Sequence, residues 1–317
     1  MTDASVVVAG DAFVDLTSTT SAAGAPAYEP HPGGSCLNVA VGLGRLGVRT
    51  ALVARISGDQ FGGLIRSHLA ASGVLPDHLV PAAELTGLGI ADIVDGRAGY
   101  AFHTAEAADR MLSPADLPEL PAAALLHVGS IALAQEPQAS TLDGLLHTQR
   151  RRRLISLDPN VRPGVIADRA AYLARLGGWI RCSDIVKASE EDLAWLFPGE
   201  DPQEVAARWL TDGAALVLIT LGADGAWART ATSGARVGAV PVAVVDTVGA
   251  GDAFMAAVLA ALVDSGRTDR ERLLTLDDAG LRGLLSWAVA AAAVACTRAG
   301  AEPPFRRELE ATPASRA

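Results

Sequence analysis

The 317-residue sequence predicts an α/β fold, a mostly parallel central sheet with helices on both faces and a small added β lid. Short apolar runs bounded by Gly, Asp or Asn recur at 6–9, 51–56, 125–128, 154–157, 185–186 and 216–220, the pattern of strands buried on both sides. Helical patterns at 37–46, 62–72, 140–150, 170–181 and 202–211 fall between them, and such alternation implies a covered parallel sheet. Two stretches, 17–32 and 86–103, break the alternation, and the second carries Asp95-Gly96 between apolar residues, a hairpin signal.

In chain order, 6–9 is the opening strand and 17–32 the first part of the lid. The helix at 37–46 has Leu37, Val41 and Leu46 on one face and ends at Gly47 as a C-cap. After the strand at 51–56 and the helix at 62–72, the second stretch completes a lid drawn from about 12–33 and 86–104. The strands and helices from 125 to 220 continue the alternation. Residues 244–262 read as the end of a strand, a glycine turn and a long Ala/Val/Leu helix. No linker divides the chain, so 1–317 is expected to form a single domain, with polar residues from about Arg306 frayed.

Half of the residues are apolar, and the net charge of −10 disfavours a nucleic-acid surface, which needs clustered Lys and Arg. The one basic run, Arg150 to Arg153, reads as a solvated helix end. Cys36, Cys182 and Cys296 show neither disulfide nor zinc spacing. The apolar run at 6–9 is too brief for a signal-peptide core, and none approaches the roughly 18 residues of a membrane span. A cytoplasmic protein with no membrane and no nucleic-acid partner is expected.

Gly42, Gly44 and Gly47 match G-x-G-x-x-G, but the glycines sit on and after a helix already running, and only two residues follow before the next strand, so no dinucleotide turn fits. A Walker P-loop needs Lys after Gly, and the only lysine, Lys187, follows Val186. H-E-x-x-H and G-x-S-x-G are both missing.

The most informative segment is Asp246-Thr247-Val248-Gly249-Ala250-Gly251-Asp252-Ala253-Phe254. Glycines at 249 and 251 let backbone N–H groups converge at a helix start, a ready site for anionic oxygens. Asp252 in that first turn caps free amides by default; beside an anion nest it can also take a proton from a hydroxyl while the amides hold a transferring phosphoryl group. These nine residues resemble the signature of the ribokinase family, the phosphofructokinase-B-type sugar kinases, and the resemblance extends over nearly the whole chain.

The resemblance implies a ribokinase-like sandwich and assigns the remaining motifs. Gly33-Gly34-Ser35-Cys36-Leu37-Asn38 is similar to the family's other signature, with Gly33, Gly34 and Asn38 holding sugar hydroxyls, and Asp11 and Asp15 stand where its sugar-binding carboxylate sits. Asp158-Pro159-Asn160-Val161-Arg162 resembles the D-P-N-x-R segment, with Asn160 toward ATP and Arg162 as a clamp on phosphate or substrate. Lys187 to Asp192 resembles the N-x-x-E motif, with Ser189 for Asn and Asp192 for Glu; Asp192, or Glu191 in its stead, would reach Mg²⁺ through water. Thr220, Gly222 and Gly225 resemble the ATP-binding T-x-G-x-x-G loop. Asp246 and Val248, with Ala295, Arg298 and Gly300, match a segment that builds a potassium site in relatives.

The implied reaction is transfer of the ATP γ-phosphoryl group to a sugar primary hydroxyl, with Mg²⁺, with or without K⁺, and with a homodimer through the lid. The wording at 33–47 and 184–198 is most like bacterial fructokinases, so fructose is the first acceptor. The lid motif with Phe102 has Thr104 where an Arg is expected, which leaves open ribose, a keto-deoxy acid such as 2-keto-3-deoxygluconate, or a nucleoside. A non-catalytic sugar- or nucleotide-binding regulator on the same fold is the alternative from another class.

Overall fold

Alternating side chains of the opening strand organise the two cores. In β1 (Val6–Ala9), Val6 and Val8 enter one hydrophobic cluster while Val7 and Ala9 enter another, so both faces of the strand are covered. The computed structural model describes residues 4–94, 97–121 and 125–311, and the Asp95-Gly96 turn lies outside the described residues.

β1 is followed by β2 (Phe13–Thr20), β3 (Pro26–Gly33), β4 (Thr50–Ser57), β5 (Leu79–Ala82), β6 (Leu88–Val94) and β7 (Arg97–His103). Six more follow: β8 (Leu125–Gly129), β9 (Ile155–Asp158), β10 (Ile185–Ser189), β11 (Leu216–Thr220), β12 (Ala226–Arg229) and β13 (Gly234–Val237). Nine of these form the main sheet in the order β13-β12-β11-β10-β9-β8-β1-β4-β5, parallel except where β12 meets β11 and β13. The lid is a separate four-stranded sheet, β3-β2-β6-β7, whose central pair is parallel.

α1 (Ser35–Arg45) and α2 (Gln60–Ala71) cover the first face of the main sheet, and α3 (Gln138–Gln149), α4 (Arg169–Cys182), α5 (Glu190–Leu196) and α6 (Pro202–Asp212) cover the second. α7 (Ala250–Asp264), the short α8 (Arg270–Leu273) and α9 (Asp278–Ala295) return to the first face, and α10 (Arg306–Glu310) closes the described chain. Gly42 explains the decoy glycine motif: a Cβ there would stand 2.6 Å from the Ala256 Cβ, so the glycine lets α1 and α7 approach closely. Gly47 lies just beyond α1 at φ 80°, in the left-handed conformation of a helix terminator.

Three expectations are corrected. Residues 244–245 are not strand: Val244 and Val245 are 62% and 63% exposed, and the Val245 amide donates to the Cys296 carbonyl beyond α9. The chain does not fray at Arg306, because α10 forms there, Arg306 donates to the Leu46 carbonyl at 2.6 Å and it pairs with Asp264 at 2.8 Å. α9, at 18 residues, is long and apolar enough to cross a membrane by length and composition, yet it packs against α7, β12 and β13 and buries Leu281, Leu285 and Ala288 in the core.

Where the lid meets the body, Asp109 is buried against the start of two lid strands. The Ala12 amide donates to its Oδ2 at 3.3 Å, and its Oδ1, which has no hydrogen-bond partner, lies beside Gly87. Burial, then the neighbouring Asp11 carboxylate, pushes the Asp109 carboxyl up to about 7. Its ordinary value is 3.8, so between these limits the folded state binds more protons than the unfolded one, and stability falls as pH rises through that window. Asp109→Asn is therefore expected to gain stability relative to the parent between pH 5 and pH 8, read from urea midpoints at both pH values; a constant difference would overturn this assignment.

Candidate active site

The carboxyl ends of the parallel strands, near where chain order reverses at β1 and β8, form the crevice expected of an open α/β sheet. α7 starts at its rim. Gly249, the N-cap, holds φ 75°, and a Cβ on it would stand 2.7 Å from the Ala301 Cβ, so only glycine fits both the turn and its packing. The Ala250 amide donates to the Thr247 carbonyl at 3.2 Å, which leaves the Gly251 and Asp252 amides as the first-turn donors without an intrahelical acceptor. At Gly251 a Cβ would stand 3.0 Å from the Lys187 Nζ, so the missing side chain keeps amide and ammonium together in one concavity.

Asp252 is buried in this turn and held from two sides. The Ser35 hydroxyl donates to its Oδ1 at 2.6 Å and the Asn38 amide donates to its Oδ2 at 2.8 Å. Asn160 lies beyond, donating to Ser35 Oγ at 2.9 Å and standing 3.5 Å from Asp252 Oδ1. Asn38 thus spends its amide on the acid rather than on a sugar hydroxyl, and its own Oδ1 is buried without a partner. Ser35 is the residue that motif reading passes over: it stands inside the glycine signature, but nothing in its sequence position shows the carboxylate it meets 217 residues away.

Lys187 lies on β10, its ammonium 2.8 Å from Asp158 at the end of β9, both side chains nearly sealed from solvent. Burial would by itself lower the lysine pKa, but Asp158, then Asp192 and Asp252, outweigh it and hold the proton on. Burial pushes Asp158 up to about 6 against the pull of Lys187, so at neutral pH the two form an ion pair.

A cavity of about 860 Å³ opens beside Gly251. Its polar wall carries Asn160, Arg162, Lys187, Ser189 and the loop of Thr220, Gly222 and Gly225, so the residues expected to contact ATP share one space. Gly225 has φ 87°, and a Cβ would stand 2.1 Å from the Val237 carbonyl oxygen, which lets that loop turn tightly at the end of β11. The apolar part of the lining comes from Val240, Val242 and Val244 and from Val289 and Ala292 of α9. This accounts for the exposure of Val244, one of the two valines that imitate a strand.

Several expected site residues lie elsewhere or do other work. Asp11 is sealed, and its two oxygens accept the Ser35 and Cys36 amides at 3.1 and 3.0 Å; it anchors the start of α1 and does not face a sugar. Asp15 is half-buried on β2 with its Oδ2 against Gly33, where a Cβ would stand 2.2 Å away, and Gly34 follows at φ 106° as the N-cap of α1. Phe102 meets Phe13 edge to face at 5.9 Å on the lid. Thr104 is buried, its hydroxyl accepting from Gln135 at 2.8 Å, so this position presents no cation to a substrate.

Ser189 and Asp192 form a capping box on α5, and Asp192 Oδ1 also accepts the Val161 amide at 2.7 Å. Asp192 is therefore buried with each oxygen already accepting a backbone amide, and it lines the same cavity; Glu191 is exposed there and Glu190 stands beside it. Asp246 accepts the Val248 amide at 3.0 Å and the Gly300 amide at 2.9 Å, drawing together the two loops expected to hold potassium. The Ala295 carbonyl accepts the Arg298 amide, and the Arg298 side chain turns away to Glu308, so only carbonyl oxygens of these two residues are relevant to a cation.

A family model described as pfkB family carbohydrate kinase matches residues 3–307. A fructokinase from Rhizobium leguminosarum bv. trifolii is 38% identical over 87% of this chain and 85% of its own length. Among solved structures, a fructokinase with bound ATP from Xylella fastidiosa superposes with TM-score 0.88 at 26% identity, covering 96% of this chain and 97% of that one. A double-mutant fructokinase from Vibrio cholerae O395, in a fructose, ADP and potassium ion bound form, superposes with TM-score 0.83 at 30% identity, covering 98% and 99%.

Proposed function

Because the chain belongs to the pfkB family of carbohydrate kinases and is an ATP-dependent sugar kinase, we propose that it phosphorylates a primary hydroxyl of fructose, with Asp252 as general base. The observation that carries this reading is the position of Asp252 between a cavity lined by Lys187 and Gly251 and the glycine pair Gly33–Gly34 next to Asp15. The acceptor hydroxyl approaches from the lid side and gives its proton to Asp252. The Gly251 and Asp252 amides, with the Lys187 ammonium behind them, stabilise charge on the migrating phosphoryl group. Arg162, exposed on the same wall, holds phosphate oxygens, and the lid over Asp15 and Phe102 keeps water from competing as acceptor.

Among the described residues no group of three or more His, Cys, Asp or Glu forms a ready-made metal cage. That suits Mg²⁺, which keeps most of its waters and is carried by substrate phosphates. Glu190 and Glu191 would reach its water shell, and the ion supplies neutralisation of phosphate charge. Potassium would sit against Asp246 and the carbonyls of Val248, Ala295, Arg298 and Gly300, next to the turn that Gly249 begins. Pairing of two lids through β3 or β7, the edges of the lid sheet, belongs to the same proposal.

ADP release measured across fructose, ribose, 2-keto-3-deoxygluconate and a nucleoside, with and without K⁺, tests the reading. Fructose is expected to give the highest kcat/KM and K⁺ to raise it. Saturable sugar binding with no ADP release would instead favour a regulator, and a larger kcat/KM on another acceptor would replace fructose.

A further inference from the structure

The groups around Asp252 are arranged in a line whose hydrogen-bond direction is fixed at each step. A guanidinium only donates, so the Arg162 Nη1 contact at 2.8 Å identifies the acceptor atom of Asn160 as Oδ1. The Asn160 Nδ2 then faces Ser35 Oγ at 2.9 Å, and because an amide NH₂ also only donates, the serine oxygen accepts there. The single hydroxyl proton of Ser35 is left for Asp252 Oδ1 at 2.6 Å, the shortest of these contacts.

Two further observations show that the line is built into the fold. Asn160 holds φ 36°, a left-handed conformation that costs a non-glycine residue free energy and persists where the surroundings impose it. Ser35 is fixed at its backbone by the sealed Asp11 carboxylate, which also takes the next amide. Asp252 thus has Oδ1 held by Ser35, with the Asn160 amide at a longer 3.5 Å, and Oδ2 by Asn38, which sets the plane of its carboxyl group.

We propose that Ser35 is the positioning residue of the base, and that Arg162, Asn160 and Ser35 form a one-way relay linking the phosphate-side cation to Asp252. The proposal rests on the kinase reading above. Arg162 is exposed on the cavity wall while Ser35 and Asp252 are buried, so the relay runs from a surface that an anion can reach to the acid that takes the proton. The outer end of the line orients Asn160, which in turn directs the Ser35 hydroxyl at the base, while Asn38 holds the other carboxyl oxygen.

Steady-state kinetics of full-length Ser35→Ala, Ser35→Thr, Asn160→Ala, the Ser35→Ala/Asn160→Ala double variant and Asp252→Asn, alongside thermal melts, test this. Ser35→Ala should lower kcat by about 10- to 100-fold, the range for losing a hydrogen bond to a charged group, with KM for ATP and fructose unchanged and the melt lowered but the protein still folded at the assay temperature. Ser35→Thr, which keeps the hydroxyl, should recover most of the loss. The double variant should fall no further than the worse single one, because both changes cut the same line. Losses that multiply, a loss confined to KM or to the melt, or wild-type kcat in Ser35→Ala would overturn the relay. If Asp252→Asn is inactive while Ser35→Ala is normal, only the relay fails; if Asp252→Asn turns over normally, the kinase reading fails with it.

Discussion

Asp252→Asn is expected to lower kcat by at least ~10²-fold, the contribution of a positioned general base, while ATP and fructose still bind. An amide has the shape of the carboxylate but cannot take the hydroxyl proton. The free amides of Gly251 and Asp252 and the Lys187 ammonium remain, so the phosphate cradle survives the change. A coupled ADP assay gives kcat, and titration calorimetry with ATP confirms that the site is intact. Turnover near that of the parent would remove Asp252 from its role.

Lys187→Met should carry the largest stability cost in the active-site region. The parent pair is sealed, with side-chain exposures of 3% and 1%, and removing the ammonium leaves Asp158 without its counter-charge. Breaking such a pair costs about 3–5 kcal/mol, a large fraction of the roughly 5–15 kcal/mol of a typical domain. The loss should depend on pH. Asp158 titrates at about 6 with Lys187 present; without that attraction its folded pKa rises further above the unfolded 3.8. Stability of the variant then declines as pH rises through this window, because the ionised, unpaired carboxyl is penalised only in the folded state. Urea unfolding at pH 5 and pH 8 should show the larger deficit at pH 8, and a variant as stable as the parent at pH 8 would contradict the ion pair.

The turn at 249–252 is legible because backbone demands and chemistry coincide there: the glycines that leave room for Lys187 and Ala301 are the same letters that mark the motif. The alternation of strands is legible for a similar reason, since double-sided burial of β1 and β11 leaves little but apolar residues in them. Asp11 shows the limit. A carboxylate two residues beyond a strand reads equally as a sugar ligand or as a helix anchor, and only the positions of the Ser35 and Cys36 amides decide for the anchor. Ser189 and Asp192 pose the same ambiguity, because a capping box and a metal-positioning motif share the spacing. Val244 misleads through apolarity itself, which does not distinguish a strand in the core from the lining of a cleft, and Val245 beside it is simply exposed.

The lid is a separate sheet whose strands also pack against α1 and α2, whereas the side-chain donors to Asp252 among the described residues belong to α1 and to the loop after β9. If Asp252 removes the proton and the lid selects the acceptor, as proposed, the two tasks fall on different elements of the molecule. Exchanging 13–32 and 88–103 for the matching strands of a relative with different tastes would then renew the sugar-facing strands while Ser35, Asn38 and Asn160 stay in place around Asp252.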